Sequence, residues 1–441
     1  MRINLTDNNI GQPNAGTFQR NDVAALFPIA DKTIAELCRE NENLLIFPFS
    51  IETSDDRIGE SSVMSILNTD DPEKVRISTG NVMGFIGVGE LQIKIKSRFD
   101  TGRDDFLLHY MLQKVLSFNL FDLSHNNEQE DVFDFIMFMF PYFLKSALRQ
   151  GIYREYQNYR HNDANIKGTI DIGRHIARNI PFVGNIAYST REYSHDNNMT
   201  ELIRHTIEFM KTKKYGQSVL NIDKETVENV NTIIEHTPLY SKKDRSSIMS
   251  KNLRMKIHPY YTEYCPLQTL CLQILRMEEV KYGESDDEIC GILFDGAWLW
   301  EEYVNTILSE IGFIHPENKL HKGGIYLFDD HSGVRYPDFY KDDFVLDAKY
   351  KRLGSYDKVS KVDRDDVHQV IAYINALHAT RGGFVAPLEQ KQAKIPTSRL
   401  KDSASTLSIF GIEISKTASS YADFCEKMKG MEMDFVESLN V

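Results

Sequence analysis

The chain has 441 residues, 41% of them hydrophobic, and a formal net charge of −13. That size and apolar content provide for two or three globular domains with sizeable cores, and the acidic balance argues against a free-standing nucleic-acid binder coated in positive charge. Five cysteines (Cys38, Cys265, Cys271, Cys290, Cys425), odd in number and without CxxC spacing, fit reduced cytosolic thiols better than disulfides or a zinc site.

The opening stretch MRINLTDNN is polar and has no signal-peptide pattern. The longest apolar run, 135–144, contains Pro141 and is too short to span a bilayer. A cytoplasmic protein without a membrane span is therefore expected. Residues 31–40 predict a short helix, 43–47 (NLLIF) a strand and 53–59 a polar loop. In 75–99 the glycines Gly84, Gly87 and Gly89 punctuate apolar sequence, and Leu91, Ile93 and Ile95 alternate with polar residues. That pattern predicts twisted antiparallel strands, of the kind that can close a small barrel. No GxxxxGK[ST] run occurs, so these glycines read as strand punctuation and not as a phosphate loop.

From 104 to about 277 the pattern is mainly helical. Residues 131–148 are apolar nearly all round and predict a buried helix. An amphipathic segment covers 172–180, Asp196-Asn197-Asn198 marks a helix start, and 265–277 is another helix. Residues 278–288 are acidic and read as a linker. The C-terminal module is laid out as a helix at 297–311, strands at 324–328, 336–340 and 344–350, a helix at 365–380 ended by Gly382-Gly383, and a strand at 384–387. The expectation is an α+β multidomain chain with a β-rich N-terminal domain (1–125), a helical region (126–285) and a C-terminal α/β module (286–441) of order αβββαβ.

Residues 335–351 read RYPDFYKDDFVLDAKYK. Phe344-Val345-Leu346 has strand chemistry, and Lys341-Asp342-Asp343 reads as a hairpin turn. A turn centred between Asp342 and Asp343 sets Asp338 opposite Asp347, with Cβ atoms roughly 5 Å apart. Two carboxylates that close repel, and a divalent cation bound as a hard ion to both removes the penalty. Alternation places Lys349 on the face of Asp347, beside that cation.

Pro337-Asp338 with Asp347-Ala348-Lys349 resembles the PD-(D/E)xK nuclease signature. Phe294-Asp295 and 299–304 (LWEEYV) resemble the helix that opens such a core, with Glu301 at its acidic position and Glu302 as a competing candidate. Asp366-x-x-Gln369-x-x-x-Tyr373 resembles the helical QxxxY motif. Thr79-Gly80-Asn81…Gly84, 95–99 (IKSRF), 165–171 (NIKGTID) and 192–205 extend a similarity to the McrC family, the nuclease subunits of McrBC-type and LlaJI-type restriction systems.

The resemblance implies a Mg2+-dependent DNA endonuclease, Mn2+ substituting, that leaves 5′-phosphates. Asp338, Asp347 and the Ala348 carbonyl would hold the metal, with Glu301 helping directly or through water, and Lys349 would position the attacking water. Gln369 and Tyr373, four apart on one helical face, would brace the site or touch a phosphate. It also implies double-stranded DNA as substrate and a McrB-like AAA+ GTPase or NTPase ring as partner, with the N-terminal domain docking on the ring and stimulating its hydrolysis. Lys349, Lys351, Arg352, Lys358, Lys361 and Arg364 form a basic run that either tracks a DNA backbone or is a solvated surface. Two other readings stay open: a non-catalytic adaptor of an AAA+ motor, and a stand-alone RecB-like repair nuclease.

Overall fold

A computed structural model describes residues 2–9, 16–41, 44–48, 61–88, 91–100, 105–116, 131–213, 215–254, 258–281, 289–316 and 323–440. In chain order its elements are β1 (Arg2–Thr6), β2 (Thr17–Gln19), α1 (Ile34–Glu40), β3 (Leu44–Phe47), β4 (Met64–Asn68), β5 (Lys74–Thr79), β6 (Val82–Val88), β7 (Leu91–Lys96) and α2 (Phe106–Leu116). Next come α3 (Asp131–Arg149), β8 (Glu155–Asp163), β9 (Thr169–Ile170), α4 (Ile172–Asn179), β10 (Ile186–Ser194), α5 (Asn198–Met210), α6 (Gly216–Leu220), α7 (Lys224–His236), α8 (Arg245–Lys251) and α9 (Tyr264–Lys281). The chain ends with β11 (Ile289–Asp295), α10 (Gly296–Leu308), β12 (Ile325–Tyr326), β13 (Val334–Arg335), β14 (Phe339–Lys341), β15 (Phe344–Ala348), α11 (Arg364–Ala376), β16 (Arg381–Leu388), β17 (Thr397–Arg399), β18 (Thr406–Glu413) and α12 (Tyr421–Leu439). The segments drawn at 1–125, 126–285 and 286–441 are distributed over two compact units, one of Met1–Ser124 with Gly283–Val441, the other of His125–Tyr282.

In the first unit, the alternation of β7 buries Leu91, Ile93 and Ile95 and turns Gln92 outward. The strand joins a five-stranded sheet of order β1-β7-β6-β11-β3, and β2-β5-β4 form a second, antiparallel sheet. Apolar residues of both sheets, among them Ile3, Ile93, Met64 and Ile77, share one core. The expected barrel is thus two open sheets among the described residues. A Cβ on Gly84, whose φ is 132°, would lie 2.2 Å from the Ile292 carbonyl oxygen, so this glycine lets β11 lie against β6. Helix α1 ends at Glu40 as expected but begins three residues later than expected, at Ile34, where Thr33 and Glu36 form a reciprocal capping box. The loop expected at 53–59, Gly89 and most of the 278–288 linker lie outside the described residues; 278–281 belong to α9.

The second sheet system of this unit has the order β14-β15-β16-β18-β17, with β15, β16 and β18 parallel. Helix α11 crosses over between β15 and β16 and buries Val370 and Ile374 against Phe384, Ala386, Leu407 and Ile409. The strands depart from expectation in two places, and Gly382-Gly383, expected to end the helix, lie inside β16, α11 having ended at Ala376. The strand expected at 324–328 shrinks to Ile325–Tyr326 and pairs with β13 as a separate ribbon. The sheet is completed instead by β18 and β17, beyond the strand expected at 384–387.

In the second unit α3 is buried through Ile136, Met137, Phe138, Met139 and Phe140, as its all-round apolarity requires. Asn197 caps α5 by accepting from Met199 N and Thr200 N. The region is not wholly helical: β8 and β10 pair antiparallel over nine residues, and β9 adds to β10. No helix among the described residues is long and apolar enough to cross a membrane. Cys38, Cys265, Cys271 and Cys425 form no disulfide.

Candidate active site

The β14–β15 hairpin builds the site from its register. Phe339 pairs with Leu346, Tyr340 with Val345 and Lys341 with Phe344. Asp342 takes a left-handed φ of 49°, which Asp tolerates in tight turns. One step beyond the paired residues, the same register sets Asp338 opposite Asp347, and the Ala348 N–H donates to Asp338 Oδ2 at 2.7 Å.

Asp347 sits on a strand flanked on both sides and is fully buried. Burial raises its pKa, and the Lys349 ammonium opposes that rise. Its Oδ2 lies 2.8 Å from Lys349 Nζ, while Oδ1 has no hydrogen-bond partner. Burial alone would lower the pKa of Lys349; Asp347, Asp338 and Asp366 outweigh it and hold the ammonium charged well above the ordinary lysine range. The Lys349 backbone is fixed as well. Its N–H donates to the Val385 carbonyl at 2.9 Å, and that carbonyl also accepts from Trp300 Nε1 at 3.0 Å.

Helix α10 carries Glu301 and Glu302, both half-exposed. Glu301 faces His315, with Oε1 3.8 Å from Nε2, and His315 Nδ1 donates to the Asp338 carbonyl at 2.7 Å. The imidazole, stacked on Phe339, therefore stands between Glu301 and the Asp338 backbone. Helix α11 carries Asp366, Gln369 and Tyr373. Gln369 Nε2 donates to Tyr373 Oη at 2.8 Å, and that hydroxyl donates to the Tyr336 carbonyl at 3.5 Å, bracing the segment that leads into Pro337-Asp338. Asp366 reaches Lys349 at 3.5 Å and Lys351 at 2.6 Å.

The structure thus gathers Asp338, Asp347, Ala348 and Lys349, with Tyr373 and Gln369 as a brace and Glu301 one imidazole away. Among the described residues no group of three or more His, Cys, Asp or Glu side chains stands ready to hold a metal ion. Two carboxylates and a carbonyl are nonetheless the share a protein contributes to a hard, largely hydrated cation. The unpartnered Oδ1 of a fully buried aspartate fits that use. His315 and Asp366 were not assigned roles by sequence pattern. Asp366, Gln369 and Tyr373 stand at i, i+3 and i+7, a one-face spacing from which a role for Asp366 could have been read; no periodic signal marks His315. The basic run is largely neutralised: Lys351 pairs with Asp366, Arg352 with Glu389, Lys361 with Asp357 and Arg364 with Asp365.

The far side of the site is anchored to the N-terminal sheets. Arg98 Nη2 donates to the carbonyl of Tyr350, next to Lys349, and its guanidinium lies over the Tyr350 ring, 4.5 Å from the centroid. Arg98 Nη1 pairs with buried Asp7 at 2.9 Å, and the Ser97 and Tyr350 hydroxyls are 2.6 Å apart.

A family model described as "McrBC 5-methylcytosine restriction system component" matches residues 77–387, well over half of the chain. Two solved structures are similar at low identity. One is described as a refined half-complex from a tetradecameric assembly of Thermococcus gammatolerans McrB AAA+ hexamers with bound McrC; it shares 15% identity at a TM-score of 0.48, covering 98% of this chain and 100% of that one. The other, the cryo-EM structure of the Thermococcus gammatolerans McrBC complex, shares 14% identity at a TM-score of 0.33, covering 70% and 87%. No curated protein matches the chain.

Proposed function

The chain belongs to the family of McrBC 5-methylcytosine restriction system components, as its likeness to McrC anticipated, and from that premise we propose that it is the metal-dependent DNA endonuclease subunit of such a system. The observation that carries this reading is the junction of Asp338, Asp347 and Lys349 at the end of the β14–β15 hairpin. A fully buried, partly unpartnered carboxylate is costly to a fold that gains nothing from it.

Asp338, Asp347 and the Ala348 carbonyl would hold Mg2+, for which Mn2+ would substitute. When bound, the cation supplies Lewis-acid chemistry, activating water and neutralising charge on the scissile phosphate. Lys349 orients the attacking water and offsets negative charge as it develops on the phosphoryl oxygens. Glu301, through His315, steadies the Asp338 backbone, and Tyr373 with Gln369 steadies it from the other side. The product carries a 5′-phosphate. Duplex DNA reaches the site through a McrB-like AAA+ nucleotide-hydrolysing ring, and this chain stimulates that ring. Dependence on such a partner accords with a net charge of −13.

The test reconstitutes the chain with its AAA+ partner, nucleotide, Mg2+ and DNA. Asp347→Ala and Lys349→Ala are each expected to lose at least about a hundredfold in cleavage, while nucleotide turnover by the partner persists. Full cleavage by Asp347→Ala would refute the site.

A further inference from the structure

The Lys349 ammonium stands between carboxylates from two different elements. It is 2.8 Å from Asp347 Oδ2 on β15 and 3.5 Å from Asp366 Oδ1 on α11. Asp366 is only 14% exposed, and its other oxygen is held by Lys351 Nζ at 2.6 Å. It lies in the first turn of α11, where a carboxylate is favoured by the helix N-terminus. The brace of Gln369 and Tyr373 on the same helix ties α11 to the Asp338 segment. Asp366 is therefore fixed in place, close to an ammonium whose primary contact is another carboxylate.

That primary contact conflicts with the chemistry proposed for the site. Oδ2 is one of two atoms through which Asp347 reaches a cation, and the ammonium occupies it. A divalent cation and an ammonium on one carboxylate repel strongly in a buried setting. Lys349 has to give up Asp347 without leaving the site, since its charge is needed at the phosphate. The remaining gap to Asp366 is closed by a small adjustment of a side chain with four rotatable bonds.

We propose that Asp366 is a positioning residue that takes the Lys349 ammonium over from Asp347 when a divalent cation engages the Asp338–Asp347 pair, and holds it beside the scissile phosphate. The proposal rests on the metal-dependent reading above. Without Asp366 the ammonium keeps its contact with Asp347 and competes with the cation for it.

The test is calorimetric titration of Mn2+ into the full-length chain, with neither DNA nor partner present. Five proteins are compared: wild type, Asp366→Asn, Asp366→Glu, Lys349→Met and the double variant Asp366→Asn/Lys349→Met, each first checked for a cooperative melting transition well above the titration temperature. Asp366→Asn is expected to weaken Mn2+ binding roughly tenfold, a usual size for one ion-pair coupling, and Asp366→Glu to recover most of it. Lys349→Met is expected to tighten binding by removing the competitor. The decisive number is the cost of Asp366→Asn in the Lys349→Met background, which is expected to be clearly smaller than in the wild type. Equal costs in both backgrounds would mean that Asp366 acts only through its field, and a larger cost without Lys349 that it is itself a ligand; either result overturns the handover. Failure of the wild type to bind Mn2+ at all overturns the metal-dependent reading, a result distinct from both.

Discussion

At the scale of single residues, the chain tolerates buried carboxylates whose ionisation the fold opposes. Asp105 is fully buried, and burial pushes its pKa up to about 7. The folded chain keeps this proton up to about pH 7, whereas the unfolded chain releases it near the ordinary 3.8. Between those values the folded state binds more protons, so stability falls as pH rises and levels off above pH 7. Three pKa units correspond to about 4 kcal/mol. Asp105→Asn keeps the shape and suits the left-handed φ of 51° at this position. Denaturant melts from pH 4.5 to 8 are expected to show a downward slope in the wild type that is clearly shallower in the Asn variant, the remainder coming from groups such as Asp7, which burial also raises; parallel curves would contradict the assignment. The catalytic candidates were legible at this scale because hairpin pairing is local: a turn at Asp342-Asp343 alone dictates that Asp338 faces Asp347. Asp7, Arg98 and His315 were not. Asp7 meets Arg98 across 91 residues of sequence, and no spacing rule reaches that far.

At the scale of elements, strands with one apolar face were readable and polar ones were not. In β7 the alternation of Leu91, Ile93 and Ile95 marks the inward face. Strand β8, EYQNYRHND, alternates half-buried and exposed residues from 155 to 160, but on its less exposed face it offers Glu155, Gln157, Tyr159 and His161 where a core strand offers Val or Ile, so its sequence is silent. The tie between β7 and the segment after β15 is an element-level feature of the same kind. Arg98 both pairs with Asp7, whose own pKa burial lifts to about 6 against the opposing Arg98 charge, and donates to the Tyr350 carbonyl. Arg98→Met leaves a buried carboxylate unpaired and is expected to cost about 3–5 kcal/mol. Adding Asp7→Asn removes that charge, and its side-chain oxygen still accepts from the Arg98 N–H position, so the double variant is expected to be more stable than Arg98→Met alone. Chemical denaturation of the three proteins measures this, and a double variant less stable than the single one would contradict the reading.

At the scale of the whole molecule, chain order and spatial order part company. The C-terminal stretch reads from sequence as self-contained, because its helix, hairpin and crossover follow one another with short connections. Its first strand, however, lies inside a sheet made otherwise of N-terminal residues: β11 pairs antiparallel with β6 from Val82 to Val88 and parallel with β3. Helix α10 starts from that strand, with the Gly296 N–H donating to the Asn81 carbonyl at 2.8 Å. Glu432 on α12 then accepts from Tyr110 of α2 and Tyr303 of α10, each at 2.8 Å, and Lys114 pairs with its other oxygen at 2.9 Å. A chain of 289–441 alone would present β11 with both ladder edges open and Glu432 without two of its three partners, conditions that favour aggregation over folding. Excising 125–282 instead, and joining Ser124 to Gly283 through a flexible Gly-Ser linker, removes one compact unit and leaves every one of these pairings in place. We expect the excised protein to be soluble and to melt in one cooperative transition, and the 289–441 fragment to lack such a transition. Size-exclusion chromatography and thermal melts on the two proteins decide it; a cooperatively melting, monomeric 289–441 fragment would mean that the β11 pairings are dispensable for the sheet that carries Asp347.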